Sequence, residues 1–169
     1  MERGIAMAHK VFISYHHKND QRYANHIRDV YGDNDTLIDR SLIEAYENMT
    51  DDEILAAIRQ NHLKDSTVTI VLVGSQTAGR KWVDWEIFSS LRSYGDRSRN
   101  GLLGIILPTA GDIPARLNDN INSGYAVWME WKNISWQLRE KIQEAYDKRS
   151  RWDLVRNTRT RRMRNAAIW

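Results

Sequence analysis

The sequence predicts an α/β domain of three layers, with helices on both faces of a central, mostly parallel sheet. Two continuous apolar runs, Val68 to Val73 and Leu102 to Leu107, have the make-up of strands buried on both faces. Segments of helical periodicity alternate with these and with shorter strand-like runs, which is the pattern of βα units. At 169 residues the chain is long enough for one domain with a proper core and short for two.

Val11 to Tyr15 (VFISY) is rich in β-branched and aromatic residues and reads as the first strand. Residues 19–31 place Tyr23, Ile27 and Val30 or Tyr31 at helical spacing. Thr36 to Asp39 is a candidate for a very short second strand, and 40–49 reads as a polar loop. Thr50 followed by Glu53 is a capping-box signature, and Ile54, Leu55 and Ile58 supply the apolar face of a helix reaching about Leu63. The run Val68 to Val73 stops at Gly74 and Ser75, and a helix is expected over 81–94. Pro108 closes the next strand. Gly111, Pro114 and Gly124 mark 109–124 as a loop with at most a helical turn. Residues 125–131 alternate like an edge strand, and Ile134, Leu138, Ile142 and Tyr146 recur every four residues in a final helix.

Composition excludes several classes. No apolar run approaches the roughly 20 residues that span a bilayer. MERGIAMAHK lacks the apolar stretch of a secretory signal, which makes the sequons at Asn48 and Asn133 uninformative and a cytoplasmic location the expectation. With no cysteine and five scattered histidines, no metal site of recognisable spacing is present. The net charge of +3 is uneven, because 149–169 holds seven arginines against Asp153 alone. The expected division is therefore a domain over 1–148, starting at Met1 or Met7, and a basic extension over 149–169. A basic stretch with Trp152 and Trp169 suits nucleic acid or another acidic surface, but a charge run alone is weak evidence for nucleic acid, and the favoured reading is a solvated or partly helical extension that packs its aromatics on the domain.

In open parallel sheets ligands bind beyond the carboxyl ends of the strands. The residues expected there are 14–17, 39–41, 74–77 and Pro108. On the helix over 81–94, Val83, Ile87 and Leu91 share the stripe that faces the sheet, and Trp82, Glu86 and Ser89 or Ser90 fall along its edge. Glu86 then has two readings. It is an acid perturbed by burial or held ionised by donors such as Ser14 or Ser75, or it is a boundary glutamate paired with Arg80, Lys81 or Arg92. Tyr15, His16 and His17 likewise are either a stacking and hydrogen-bonding set for a nucleotide or a surface tyrosine with two solvated histidines.

VFISYHH near the start, the strand ending in GSQT and the following KWVDWEI helix together resemble the TIR-like domain of Thoeris antiphage defence systems. The resemblance covers about His9 to Pro108, with element order matching to about Trp131. It implies a flavodoxin-like fold and cleavage of the nicotinamide–ribose bond of NAD, with Glu86 at the position of the family's catalytic glutamate. NAD is then the substrate and no cofactor is implied. The family transfers ADP-ribose to make a nucleotide messenger, a cyclic ADP-ribose isomer or an ADP-ribosyl conjugate, which activates a separate effector after phage infection. By the same resemblance Tyr15 and Trp82 shield the rings, and Ser14, His16 and Ser75 bind phosphate or ribose oxygens. Asp39 and Ser41 open a loop that in TIR domains lies over the site and contacts a neighbouring protomer, so a homo-oligomer is a further expectation.

One acid suffices for this chemistry, since nicotinamide leaves as a neutral group and needs no proton, in contrast to the two carboxylates of ordinary glycosidases. The chain departs from the family at His16 and His17 and in the basic extension. A non-catalytic TIR-type interaction module and a nucleoside deoxyribosyltransferase-like enzyme share the fold and stay open as alternatives. A phosphoacceptor receiver domain is disfavoured, because Ser14, Tyr15, Gly74 and Ser75 stand where it needs acids.

Overall fold

A computed structural model describes residues 9–31 and 48–167 of the chain. Among these residues four strands form one parallel sheet in the order β1-β2-β3-β4: β1 Val11–Ser14, β2 Val68–Val73, β3 Gly101–Ile106 and β4 Val127–Glu130. The strand expected over 36–39 lies outside the described residues, as do Asp39, Ser41 and both candidate starts. Ser14 pairs with Val71 and Val73 with Ile106, so β2 runs two residues past the end of β1 at the carboxyl edge.

The pleat divides the apolar residues of each strand between two cores. Ile13, Ile70, Leu72, Leu103 and Ile105 face α1 (His17–Tyr31) and α5 (Ile134–Asp147), where Ala24, Ile27, Leu138 and Ile142 meet them. Phe12, Val71, Val73 and Leu102 face the opposite layer. That layer holds α2 (Asp51–Ala57), which widens into a π-helical turn at Ile58–Leu63, then α3 (Lys81–Ser90) and α4 (Ala115–Ser123). The expected three-layer α/β domain with a parallel sheet is the observed one. Among the described residues no helix is long and apolar enough to cross a membrane.

The start of α2 follows its signature: Thr50 Oγ1 accepts from the Glu53 amide at 3.2 Å. Three elements differ from expectation. Residues 115–123 form a full helix rather than a loop, and its buried face, Arg116, Leu117 and Asn120, is too polar for apolar periodicity to reveal it. Pro114 opens α4 and Gly124, at φ +88°, closes it in the left-handed conformation that favours glycine. Helix α3 stops at Ser90 instead of Tyr94, because the Ser90 carbonyl is taken by the Asn100 amide and the chain turns back between Tyr94 and Arg97. The last strand starts at Val127, since Tyr125 is occupied below it, donating its buried hydroxyl to the Asn100 carbonyl at 2.7 Å.

After α5 the chain makes two short 3-10 turns, Lys148–Ser150 and Trp152–Leu154, and then runs extended across α4 and α3. Contrary to the expectation of packed aromatics, Trp152 is 71% exposed; Leu154 and Val155 pack on the core, and asparagine and arginine side chains and backbone groups make the polar contacts.

Gly101 opens β3 directly under α5, and a Cβ there would overlap the Ala145 carbonyl. Gly101→Ala is expected to cost about 2–3 kcal/mol through overpacking, read as a lower denaturation midpoint with unchanged slope.

Candidate active site

Burying a carboxylate without donors costs several kcal/mol, so a glutamate on an inward helix face needs partners supplied by other elements. Glu86 sits in the second turn of α3 and is fully buried. Ser14, the last residue of β1, shares the α3-facing side of the sheet with Phe12 and donates from Oγ to Glu86 Oε1 at 2.7 Å. His62, in the π-helical turn, brings Nδ1 to 3.3 Å from Glu86 Oε2, and its ring stacks on Phe12 with centroids 5.1 Å apart. A carboxylate at Nδ1 favours the tautomer that carries its proton there. The boundary-glutamate reading is overturned: Glu86 pairs with neither Arg80, Lys81 nor Arg92 but points inward to Ser14 and His62.

The backbone beneath Glu86 is also tied to the sheet. Ser90 Oγ donates to the Glu86 carbonyl at 2.7 Å and lies 2.7 Å from Thr69 Oγ1 on β2, which in turn accepts from Asn100. Trp82, partly buried one turn before Glu86, packs edge-on to Trp85 at 5.5 Å and carries the Lys81 ammonium over its ring.

Other expected site residues are distributed along the same carboxyl edge. Tyr15 is buried on the α1 side, opposite to Glu86, stacked on His17 at 4.2 Å and donating to Gln21. It is not a surface tyrosine. His16 is partly buried, and its pKa is lowered by that burial and by the positive charges of Arg80 and Lys18, so the ring stays neutral near pH 7. Ser75 is exposed, its carbonyl packed close to Gly111, whose amide donates to the Gly74 carbonyl at 3.1 Å. A concavity of about 320 Å³, bounded by Ile106 to Pro108 and Glu130 to Lys132, opens at the ends of β3 and β4, away from Glu86.

Sequence reasoning missed three participants. His62 was signalled by its spacing, four residues after Ile58 and eight after Ile54, a polar residue on an apolar stripe. Asp20, in the first turn of α1, is 2% exposed and lies so close to Gly74 that a Cβ there would overlap its carboxyl group. Burial raises its pKa, while Arg22 and Thr77 oppose the shift. The third, Asp84, forms an ion pair with the fully buried Arg116 at 2.9 Å, and nothing in the local pattern announces it.

The family model for the TIR-like domain of Thoeris protein ThsB matches residues 12–112, a span that contains Ser14, His62, Ser75, Trp82 and Glu86 and stops before α4. No curated protein matches the chain.

Because the native Asp20 carboxyl keeps a proton that the unfolded chain releases near pH 3.8, stability falls as pH rises through that window. Asp20→Asn removes the buried charge and is expected to raise Tm at pH 7 by about 2–4 °C. The gain is expected to vanish below pH 3.8, where the carboxyl is protonated in both states; differential scanning calorimetry across pH checks both limbs.

Proposed function

Since the chain belongs to the family of Thoeris ThsB TIR-like domains, and is thus a TIR-type protein of a defence system, we propose that it consumes NAD. It cleaves the bond between nicotinamide and C1′ of the ribose and transfers the ADP-ribosyl unit to an acceptor, forming a nucleotide messenger for a separate effector. The observation that supports this best is the single carboxylate of Glu86, buried at the end of β1 and held by Ser14 and His62.

In the proposed reaction the C1′–N bond breaks with its electron pair going to the pyridinium nitrogen. Nicotinamide leaves neutral, and positive charge develops on the ribose ring. Glu86 offsets that charge, and its low-dielectric surroundings make the attraction far stronger than it is in water. Ser14 fixes the rotamer of the carboxylate, so little reorganisation is required as the charge appears. Trp82 covers the reacting half of the substrate and limits attack by water, leaving the cation to the acceptor. At the rim, Lys18 and Arg80 supply positive charge for the pyrophosphate, and His16, kept neutral by burial and by those charges, serves as a hydrogen-bonding group. Glu86 is 0% exposed, so substrate reaches it only after what covers it is displaced. This dependence accords with an enzyme that is silent until triggered.

Nicotinamide release from NAD by the purified full chain, with and without extract from infected cells, tests the reading. Glu86→Gln keeps the shape of the side chain and removes its charge, and a loss of about 10³-fold is expected. Absence of turnover under both conditions would support an interaction module, and preferential turnover of deoxynucleosides would support a deoxyribosyltransferase.

A further inference from the structure

Helix α3 has two working faces. Val83, Glu86, Ile87 and Ser90 point to the sheet and to His62. Lys81, Asp84, Trp85 and Phe88 recur at i, i+3, i+4 and i+7, which makes them another stripe of the same helix. The extended segment 157–166 touches all four. Asn157 Nδ2 donates to the Phe88 carbonyl at 3.1 Å, and the Arg161 guanidinium lies over the rings of Trp85 and Phe88 at 4.4 and 5.1 Å. The Arg162 amide donates to Asp84 Oδ2 and its carbonyl accepts from Trp85 Nε1, both at 2.7 Å. Asn165 Oδ1 accepts from the Lys81 amide at 2.8 Å, satisfying one of the open donors at the start of the helix. The segment ends on Gly79, whose carbonyl accepts from Ala166 at 2.9 Å.

Helix α4 locks this segment from beside it. Arg116, with no exposed surface, reaches Asp84 through two nitrogens and the segment through Asn157 Oδ1 at 3.0 Å and the Arg159 carbonyl at 2.8 Å. Asn120 pairs with both the amide and the carbonyl of Arg156. Asp84 therefore stands where helix, segment and α4 meet. Apart from α3 and Gly79 just before it, all of these groups fall outside the family-matched span of 12–112.

We propose that residues 156–166 are a strap that positions Glu86, with Asp84 as its hub and positioning residue. This rests on the reading of Glu86 as the NAD-cleaving carboxylate. A helix of ten residues has little stability of its own, so its roll is set by what grips it. With side-chain tips about 5–6 Å from the helix axis, a roll of about 10° moves the Glu86 carboxylate by roughly 1 Å, a displacement that costs about 10²-fold in rate. The inner contacts hold the carboxylate from one side and the strap holds the helix from the other.

The test is the full chain carrying Asn157→Ala, Arg161→Ala and Asn165→Ala together, which leaves α3 unaltered, beside Arg161→Lys, which keeps a cation over Trp85. Three readouts are compared: amide hydrogen exchange in α3 and β2, the ring signals of His62 by NMR, and nicotinamide release. The expected result for the triple variant is about tenfold faster exchange in α3 with β2 unchanged, shifted His62 signals, and kcat down 10- to 100-fold with KM within about twofold. Arg161→Lys is expected to be close to wild type in all three. Unchanged His62 signals, or a loosened α3 with unchanged kcat, overturn the proposal. If the unsubstituted chain releases no nicotinamide, the NAD reading falls, and exchange and the His62 signals alone decide whether the strap positions Glu86. If the triple variant loses β2 protection, Arg161→Ala alone carries the test.

Discussion

A carboxylate taken out of water needs partners, and Glu86 accepts a hydrogen bond from Ser14 at the end of β1 while His62 in the π-helical turn brings Nδ1 to 3.3 Å from its second oxygen. These three residues come from elements separated by 24 or more positions in the chain, so none can be right until the others are. The strand must end at Ser14 with its hydroxyl on the α3 side, the helix after Thr50 must widen into a π turn that seats His62 on Phe12, and α3 must approach with Glu86 inward. Removing one partner leaves the carboxylate buried with less to offset its desolvation, which is the costly direction of any such change.

The rest of the structure distributes around that requirement. On the sheet side, Ser90, Thr69 and Asn100 carry hydrogen bonds from the Glu86 carbonyl down through β2 to the start of β3. On the outer side, Asp84 and Arg116 pair in a nearly dry setting and are joined by the strap. The inner arrangement belongs to the span shared with the Thoeris ThsB family, while the outer one is built largely from residues beyond it.

Legibility followed the range of the interactions. Strands β2 and β3 were plain in the sequence because burial on both faces leaves an unbroken apolar run, and α2 was plain because Thr50 and Glu53 cap it locally. Helix α4 was hidden: two of its three buried residues, Arg116 and Asn120, are polar and find their partners 32 to 43 positions away. The π turn at Ile58–Leu63 was hidden too, since nothing local distinguishes it from a continuing α-helix. Glu86 and Ser14 were singled out by their places on a helix and at a strand end together with the family resemblance, whereas His62 is marked only by its position on an apolar stripe and Asp20 looks locally like an ordinary helical polar residue.

By itself the sequence determined the class of fold and the parallel sheet, because periodicity, caps and strand ends are short-range properties written in neighbouring residues, and its family resemblance singled out Glu86. Only the tertiary structure decided that Glu86 is fully buried between Ser14 and His62, that Tyr15 faces the opposite core, and that the basic extension is a strap along α3. Each of those outcomes depends on which distant groups satisfy a buried polar atom, and that pairing exists only once the chain has packed.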